Sequence, residues 1–183
     1  MSHNWSDWTH VIWSTRGAWL PGDPRGFRDH DHRIHSTGDY KAPPPPGEHA
    51  GLHRVARKLC PEEVHIPKHL RRTIADALGD KLLALERPPR IIAVMRTHVH
   101  ALVRAGPTNV RESIGRAKQA ASHAVRDELP GRIWGQRCHP VRIRDGAHYR
   151  RVVEYIAAHR KEGAALWVHP DLRKASGQAS MGR

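Results

Sequence analysis

The chain has 183 residues, with 31 Lys and Arg against 18 Asp and Glu, and it contains 16 His and two Cys. This length suits one domain, and a hydrophobic fraction of 38% is enough to build a core, which argues against a wholly disordered chain. No apolar run reaches the roughly 18 residues that a membrane span needs, and the first residues lack the pattern of a signal peptide. A cytoplasmic protein is therefore expected, in which Cys60 and Cys138 are two buried thiols and not part of a disulfide framework or a four-cysteine zinc site.

The positive charge of the chain points to a polyanionic partner. The formal net charge is +13 and the isoelectric point is about 10.8. Between residues 88 and 160, 14 Lys and Arg stand against five acidic residues. Of the 31 basic residues 24 are Arg, whose planar guanidinium group suits phosphates and stacks on bases. Nucleic acid is therefore the first expectation. The alternative is an ordinary charged surface in a chain whose genome is rich in Arg codons.

Hydrophobic patterning in the first half predicts a strand, a long loop, a helix and two further strands. Residues 8–14 are β-branched and aromatic, which predicts the first strand. The Gly, Pro and His that follow predict an insertion at about 17–51. Apolar spacings of three and four predict a helix over 66–86. Residues 90–105 are too many for one strand of usual length, so two antiparallel strands with a tight turn near residues 96–97 are predicted.

The second half of the chain continues with a helix, a strand and a last helix. The second helix is predicted over residues 108–129, with Thr108 or Asn109 as its N-cap. A fourth strand is predicted within 133–143, and a third helix over 147–161.

This order of elements predicts an α+β fold of the ferredoxin-like (RRM-like) kind, in which helices pack on an antiparallel sheet. One domain over residues 1–175 is expected, with a flexible tail over 176–183. The sequence DHDHRIH inside the insertion is interpreted first as a flexible DNA contact, and as a second metal site only after that.

A pair of histidines lies within the most strand-like segment. Because side chains alternate along a strand, His98 and His100 point to one face while Val99 points to the other. Two imidazoles at this spacing make half of a metal site. A solvated strand face is an equally good explanation in a chain with 16 His, where His30 and His32 repeat the pattern.

The last helix supplies further polar groups on one narrow strip. His148, Tyr155 and His159 fall beside the apolar stripe of this helix, bordered by Arg151. Tyr155 and His159 are one turn apart, so a third imidazole and a phenol can be presented together to the two strand histidines. The alternative for Tyr155 is a half-buried residue at the boundary of the core.

Four segments resemble one protein family. Residues 95–103 (MRTHVHALV) resemble the M-P-N-H-h-H-h-L-h segment, with h an apolar residue, of the IS200-like and REP-associated single-tyrosine transposases. These enzymes belong to the HUH endonuclease superfamily, named for His, hydrophobic residue, His. Residues 154–167 are similar to the family's Y-I-x-N-P-V-x-A-G-L-V segment, and 133–137 to its W-Q-R-G-Y stretch. Residues 9–17 resemble its opening Y-H-V…T-x-R-G, so the four segments follow the family's order.

The chain departs from the family pattern at several positions. Arg96 and Thr97 stand where the family has Pro-Asn, the Asn-Pro after the tyrosine is missing, and the insertion is long. His159 stands where relatives commonly carry an amide residue that completes the metal site. Family members use Mg²⁺ or Mn²⁺. Because a third imidazole shifts preference towards softer ions, Mn²⁺ is the easier choice here.

The resemblance implies a metal-dependent DNA transposase, a nicking-and-joining endonuclease for single-stranded or hairpin DNA. A divalent ion on His98, His100 and His159 would bind the scissile phosphate. Tyr155 would attack it, leaving a 5′-phosphotyrosine and a free 3′-OH without use of ATP. His148 and a metal-bound water are both candidates to take the phenol proton. If His148 is not the base, it would hydrogen-bond to one of the metal ligands.

The basic residues 90–151 are expected to follow the DNA backbone. The arginines selected as DNA contacts are Arg96, Arg104, Arg142, Arg144 and Arg151. Three tryptophans are candidates to stack on unpaired bases, although each is more often a core residue: Trp5, Trp19 and Trp134. The protein is expected at the nucleoid when bound to DNA. The resemblance also allows for a homodimer whose chains share their active sites.

Two other functions compete with this one. A domesticated, non-cleaving DNA-binding regulator would keep the fold and charge, and the altered Arg96-Thr97 favours it. An RNA binder on a ferredoxin-like sheet is weaker, because the chain lacks the aromatic strand motif of that class.

Overall fold

The computed structural model describes residues 4–25, 45–107 and 109–171. The two histidines of the insertion, His30 and His32, lie outside the described residues, as do Thr108 and the tail over 176–183. The expectations for the DHDHRIH sequence and for the tail therefore remain predictions.

The described residues form five strands and four α-helices. In chain order they are β1 (Trp8–Ser14), α1 (Ala50–Leu59), α2 (Arg71–Ala84), β2 (Pro89–Val94), β3 (His98–Arg104), α3 (Val110–Ala124), β4 (His139–Arg142), α4 (Gly146–Ala158) and β5 (Ala165–Val168). Single 3₁₀ turns precede β1 and α2 and follow α4. None of the described helices has the length and apolar character needed to cross a membrane.

The strands form one sheet in the order β4-β1-β3-β2-β5, and every neighbouring pair is antiparallel. The first four strands have the ferredoxin-like order, and β5 extends the sheet beside β2. The predicted α+β fold is therefore confirmed, and the two strand histidines lie on the central strand β3.

The two faces of the sheet carry separate cores. Helices α2 and α3 cover one face, where Val99, Ala101 and Val103 of β3 are fully buried. Helix α4 covers the other face, where Val152 and Ile156 pack with Leu102. Because odd-numbered residues of β3 fill the first core, His98 and His100 must point towards α4.

Several element bounds differ from the sequence prediction. Helix α2 begins only after a 3₁₀ turn at Lys68–Leu70, and α3 ends at Ala124. The fourth strand covers only His139–Arg142, because Trp134 turns into the core and pairs with Thr15 in an isolated bridge.

Two elements and the state of the cysteines were missed by sequence reasoning. Helix α1 has apolar residues at helical spacing, Leu52, Val55, Ala56 and Leu59, which sequence reasoning did not use; only Ala56 among them is buried, and Val55 and Leu59 are exposed. Strand β5 is four residues long, too short for an alternation signal. Both Cys60 and Cys138 are free thiols but only half-buried, so the expectation of buried thiols was wrong: Cys60 follows the last residue of α1, and Cys138 precedes the edge strand β4.

A close contact between α2 and β5 gives a test of this packing. Gly79 lies against the Trp167 indole ring, and a Cβ atom built at Gly79 would overlap that ring. We expect Gly79→Ala to lower the free energy of unfolding by about 1–3 kcal/mol, because the buried ring has to shift. Urea unfolding measures this change.

The matched control is Gly115→Ala in the exposed part of α3, where nothing lies within 4 Å of the added Cβ. Alanine is the better helix former, so this change should raise the free energy of unfolding by up to about 1 kcal/mol. Equal effects of the two substitutions would contradict the packing of β5 on α2.

Candidate active site

Three imidazole rings meet where the end of α4 crosses β3. The ring centroids of His98 and His100 are 5.1 Å apart, those of His100 and His159 are 4.7 Å apart, and those of His98 and His159 are 6.2 Å apart. One nitrogen from each ring lies within 4.8 Å of the others. His100 and His159 are buried and His98 is half-buried. The three predicted ligands are thus brought together.

The third histidine is placed by the way α4 ends. The backbone N–H of His159 bonds to the carbonyls of Ile156 and Ala157, as the helix tightens into a 3₁₀ turn. The Tyr155 carbonyl instead accepts a hydrogen bond from Nδ1 of the His159 ring, at 2.9 Å. Gly163, at φ 80°, then ends the turn in the left-handed conformation that glycine adopts easily.

Each of the three rings has its Nδ1 atom engaged by the protein. Nδ1 of His98 lies 3.3 Å from Oγ1 of Thr97, and Nδ1 of His100 lies 3.1 Å from Nε2 of His10. With Nδ1 of His159 on the Tyr155 carbonyl, Nε2 is the nitrogen that each ring has left for a metal. This donor set fits a divalent cation that accepts imidazole ligands.

Tyr155 joins the histidines on the same chain. Its ring centroid lies 4.7 Å from that of His159, 5.3 Å from that of His100 and 6.2 Å from that of His10. The side chain is 51% exposed, so a substrate can reach the phenol. The grouping of Tyr155 with the histidines therefore needs no second chain.

Burial keeps the strand histidines neutral. Burial, with neighbouring imidazoles as a smaller cause, lowers the pKa of His100 to about 3 and that of His10 to about 4. The pKa of His98 is lowered for the same reasons. Burial and the nearby Glu162 raise the pKa of Tyr155. At neutral pH the rings are in the form that binds metals, and the phenol is protonated.

His148 lies in the first turn of α4, seven residues before Tyr155. Its ring Nδ1 accepts the backbone N–H of Arg144 at 3.3 Å, and its own backbone N–H donates to the capping Asp145 carboxylate at 2.7 Å. The ring contacts of Tyr155 within the described residues include three histidines, and His148 is not one of them. Its role as a base or supporting group stays a prediction.

The five predicted DNA-contacting arginines do not form one cluster. Arg96 lies in the β2–β3 turn beside His65, whereas Arg104 lies at the far end of β3 and pairs with Asp7 at 3.6 Å. The remaining three are exposed around the β4–α4 connection: Arg142, Arg144 and Arg151.

The three tryptophans have different surroundings. Trp134 is buried and donates its indole N–H to the Lys118 carbonyl at 2.9 Å, and Trp5 packs on Tyr149 with centroids 5.1 Å apart. Trp19 is 50% exposed, with the Arg25 guanidinium 4.4 Å from its ring centroid.

A cavity of about 150 Å³ lies beside His98. Its lining includes Trp19 and His98, together with Ile12, Ser14, Ala18 and Thr97. Trp19 is therefore the one of the three tryptophans that combines an exposed ring with a place beside the metal ligands.

Sequence reasoning did not assign His10 to the site. The alternation of side chains along β1 predicts that His10 points to the other face of the strand from Thr9 and Val11. Which side chain His10 meets on that face depends on how β1 pairs with β3. That register, with Ile12 opposite His100, becomes known only from the structure.

Comparison with known proteins gives a structural similarity but no family. No family model matches the chain, and no curated protein matches it either. Among solved structures the chain is similar to that of a REP-associated tyrosine transposase bound to a REP hairpin. The TM-score is 0.46 and the identity is 12%, over 86% of this chain and 69% of that chain. At this level of similarity the activity of that protein does not carry over, so the function has to be argued from the site.

The lowered pKa values predict a pH-dependent stability in metal-free buffer. The pKa values of His10 and His100 in the folded state lie below the ordinary 6.5, so the unfolded chain takes up protons first as the pH falls. Their contribution is complete above about pH 6.5 and is lost as the pH falls towards about 4 for His10 and about 3 for His100, at up to about 1.4 kcal/mol per pH unit for each ring. Urea unfolding between pH 7.5 and 5 in EDTA should show this loss.

The control for this measurement is His100→Phe, which keeps an aromatic ring and removes the titrating group. Its unfolding free energy should fall less steeply with pH than that of the wild type. Parallel curves for the two proteins would show that His100 titrates normally in the folded state.

Proposed function

We propose that the protein is a metal-dependent tyrosine transposase, a nicking-and-joining endonuclease for single-stranded or hairpin DNA. The observation that carries this proposal is the meeting of Tyr155 with His98, His100 and His159 at one partly open site. A nucleophile beside a set of metal ligands, in a chain of net charge +13, fits the cleavage of a phosphodiester.

The three histidines would hold Mg²⁺ or Mn²⁺ through Nε2. When bound, such an ion polarises the scissile phosphate and offsets the negative charge that develops on the phenol oxygen. The protein's part is to keep the His98 and His100 rings neutral by burial and to fix the orientation of all three rings through their Nδ1 contacts.

Tyr155 would act as the nucleophile. Its phenol oxygen forms a bond to the scissile phosphorus, the bond from phosphorus to the 3′ oxygen breaks, and the phenol proton ends on that 3′ oxygen. The products are a 5′-phosphotyrosine and a free 3′-OH. Because the phosphodiester is exchanged and not hydrolysed, a second 3′-OH can reverse the step and join strands without ATP.

The DNA would approach from the open side of Tyr155. Arg142, Arg144 and Arg151 surround the β4–α4 connection and would contact backbone phosphates. Trp19 adjoins His98 through the shared cavity and offers an exposed ring to an unpaired base. Arg96 and Arg104 would contact phosphates farther along the DNA strand.

The direct test is covalent attachment to DNA. Wild-type protein incubated with a hairpin-bearing oligonucleotide and Mn²⁺ should give a covalent adduct on a denaturing gel, and EDTA should abolish it. Tyr155→Phe should give no adduct while still binding the oligonucleotide, because only the nucleophilic oxygen is removed. Tyr149→Phe is the matched control, because Tyr149 is on the same helix as Tyr155 but packs against Trp5 and Trp8 and not against the histidines.

Two outcomes would contradict the proposal in different ways. An adduct that persists in Tyr155→Phe removes this residue from the nucleophile role. Tight binding with no adduct from the wild type, unchanged by EDTA, would identify the non-cleaving DNA-binding regulator instead.

Salt dependence separates the two kinds of DNA contact. With a single-stranded oligonucleotide, Arg142→Ala should lower the slope of log affinity against log salt by about 0.7, the value for one lost phosphate contact. Trp19→Ala should weaken binding by about five-fold to a hundred-fold, as expected for one lost stacking contact, and leave the slope unchanged. Fluorescence anisotropy at several salt concentrations measures both.

Arg72→Ala is the control for these variants. Arg72 pairs with Asp76 on α2, which covers the opposite face of the sheet. Its removal should change neither affinity nor slope. An effect as large as that of Arg142→Ala would show that binding is spread over the whole basic surface.

A further inference from the structure

We propose that His10 is a positioning residue that selects the metal-binding tautomer of His100. By accepting a hydrogen bond from Nδ1 of His100, it leaves Nε2 of that ring free for the cation. The inference rests on the proposed function, because it concerns the same metal ligands, but it assigns a role to a residue of a different strand.

The contact between the two rings is fixed by the sheet. Nε2 of His10 lies 3.1 Å from Nδ1 of His100, and the two rings are nearly parallel, with 26° between their planes and centroids 5.3 Å apart. In the antiparallel β1–β3 pair, His10 is opposite Leu102 and Ile12 is opposite His100, so the histidines are diagonal neighbours on one face. Both are buried, and His10 is only 7% exposed. Water therefore has little access to replace this hydrogen bond.

The proton arrangement in the pair decides whether His100 can bind a metal. A neutral imidazole carries one N–H, and its other nitrogen is an acceptor. If His10 donated to Nδ1 of His100, the proton of His100 would be on Nε2, and that nitrogen could not be a ligand. If His100 donates, its Nε2 is free and His10 carries its own proton on Nδ1. A metal at the three histidines therefore requires His10 to be the acceptor.

His159 shows how a hydrogen-bond acceptor at Nδ1 selects the tautomer of a ligand histidine. The Tyr155 carbonyl can only accept, so it forces His159 into the tautomer with Nδ1 protonated. In the part of the chain that the structure describes, Nδ1 of His100 has an imidazole as its hydrogen-bond partner, in place of a carbonyl or carboxylate. Metal-binding histidines usually have their second nitrogen held in this way, and loss of the partner typically weakens metal affinity by 10–100-fold.

The test compares two substitutions of His10. His10→Leu fills the space but cannot accept a hydrogen bond, whereas the Oε1 atom of His10→Gln can accept at the place of the imidazole Nε2. We expect Mn²⁺ affinity, measured by the EPR signal of the free ion without DNA, to fall by about 10–100-fold in His10→Leu. In His10→Gln it should stay within a few-fold of the wild type. His69→Leu, at an exposed histidine paired with Glu128, is the control and should have no effect.

A second measurement uses the wild-type protein, so it does not depend on whether a variant folds. The ¹⁵N chemical shifts of the histidine rings in metal-free protein should show His100 protonated on Nδ1 and His10 unprotonated on Nε2. A proton on Nε2 of His100, or wild-type Mn²⁺ affinity in a folded His10→Leu, would overturn the proposal.

These results are separate from those of the adduct assay. A protein that binds Mn²⁺ in a His10-dependent way but forms no DNA adduct keeps the role of His10 and loses the proposed cleavage. An adduct with normal Mn²⁺ affinity in His10→Leu does the reverse.

Discussion

The alternation of side chains along β3 is the constraint on which the site depends. This strand is central, with β1 and β2 bonded to its two edges, so it can neither slip nor turn over without breaking both pairings. Val99, Ala101 and Val103 fill the core under α2 and α3. The same pleat directs His98 and His100 into the space under α4. A register shift of one residue would bury imidazoles in an apolar core and leave valines at the site.

Helix α4 supplies the third imidazole of the site, and it can do so because different residues of this helix pack in the core and face the histidines of β3. Val152 and Ile156 attach the helix to the second core, and the tightening of its last turn brings His159 over His100. Burial lowers the pKa of His100 to about 3, which keeps this ring neutral without any charged partner. Tyr155 lies at the edge of the buried group, open on one side.

The sequence predicted what depends on local periodicity and missed what depends on pairing between distant segments. Strand β1 and the division of residues 90–105 follow from alternation and strand length, and the structure confirms both. The helical strip of Tyr155 and His159 was also readable from spacing alone. The role of His10 was not, because it arises from the β1–β3 register. Strand β5 depends on its pairing with β2 and left no local signal. The apolar spacing of α1 was readable from the sequence, but it directly follows the Gly- and Pro-rich insertion and was not assigned to an element.

The nucleophile and one candidate ligand share a single helical turn, and the Tyr155 carbonyl is hydrogen-bonded to the His159 ring. The His159 ring is therefore tied to the backbone of the helical turn that carries Tyr155. If α4 shifted as a whole, the phenol and this imidazole would leave the two strand histidines together, and a cation held by all three rings would lose one of its three protein ligands. Rotation of the Tyr155 side chain alone would leave His159 in place, so the two kinds of movement differ in whether the cation keeps its ligands.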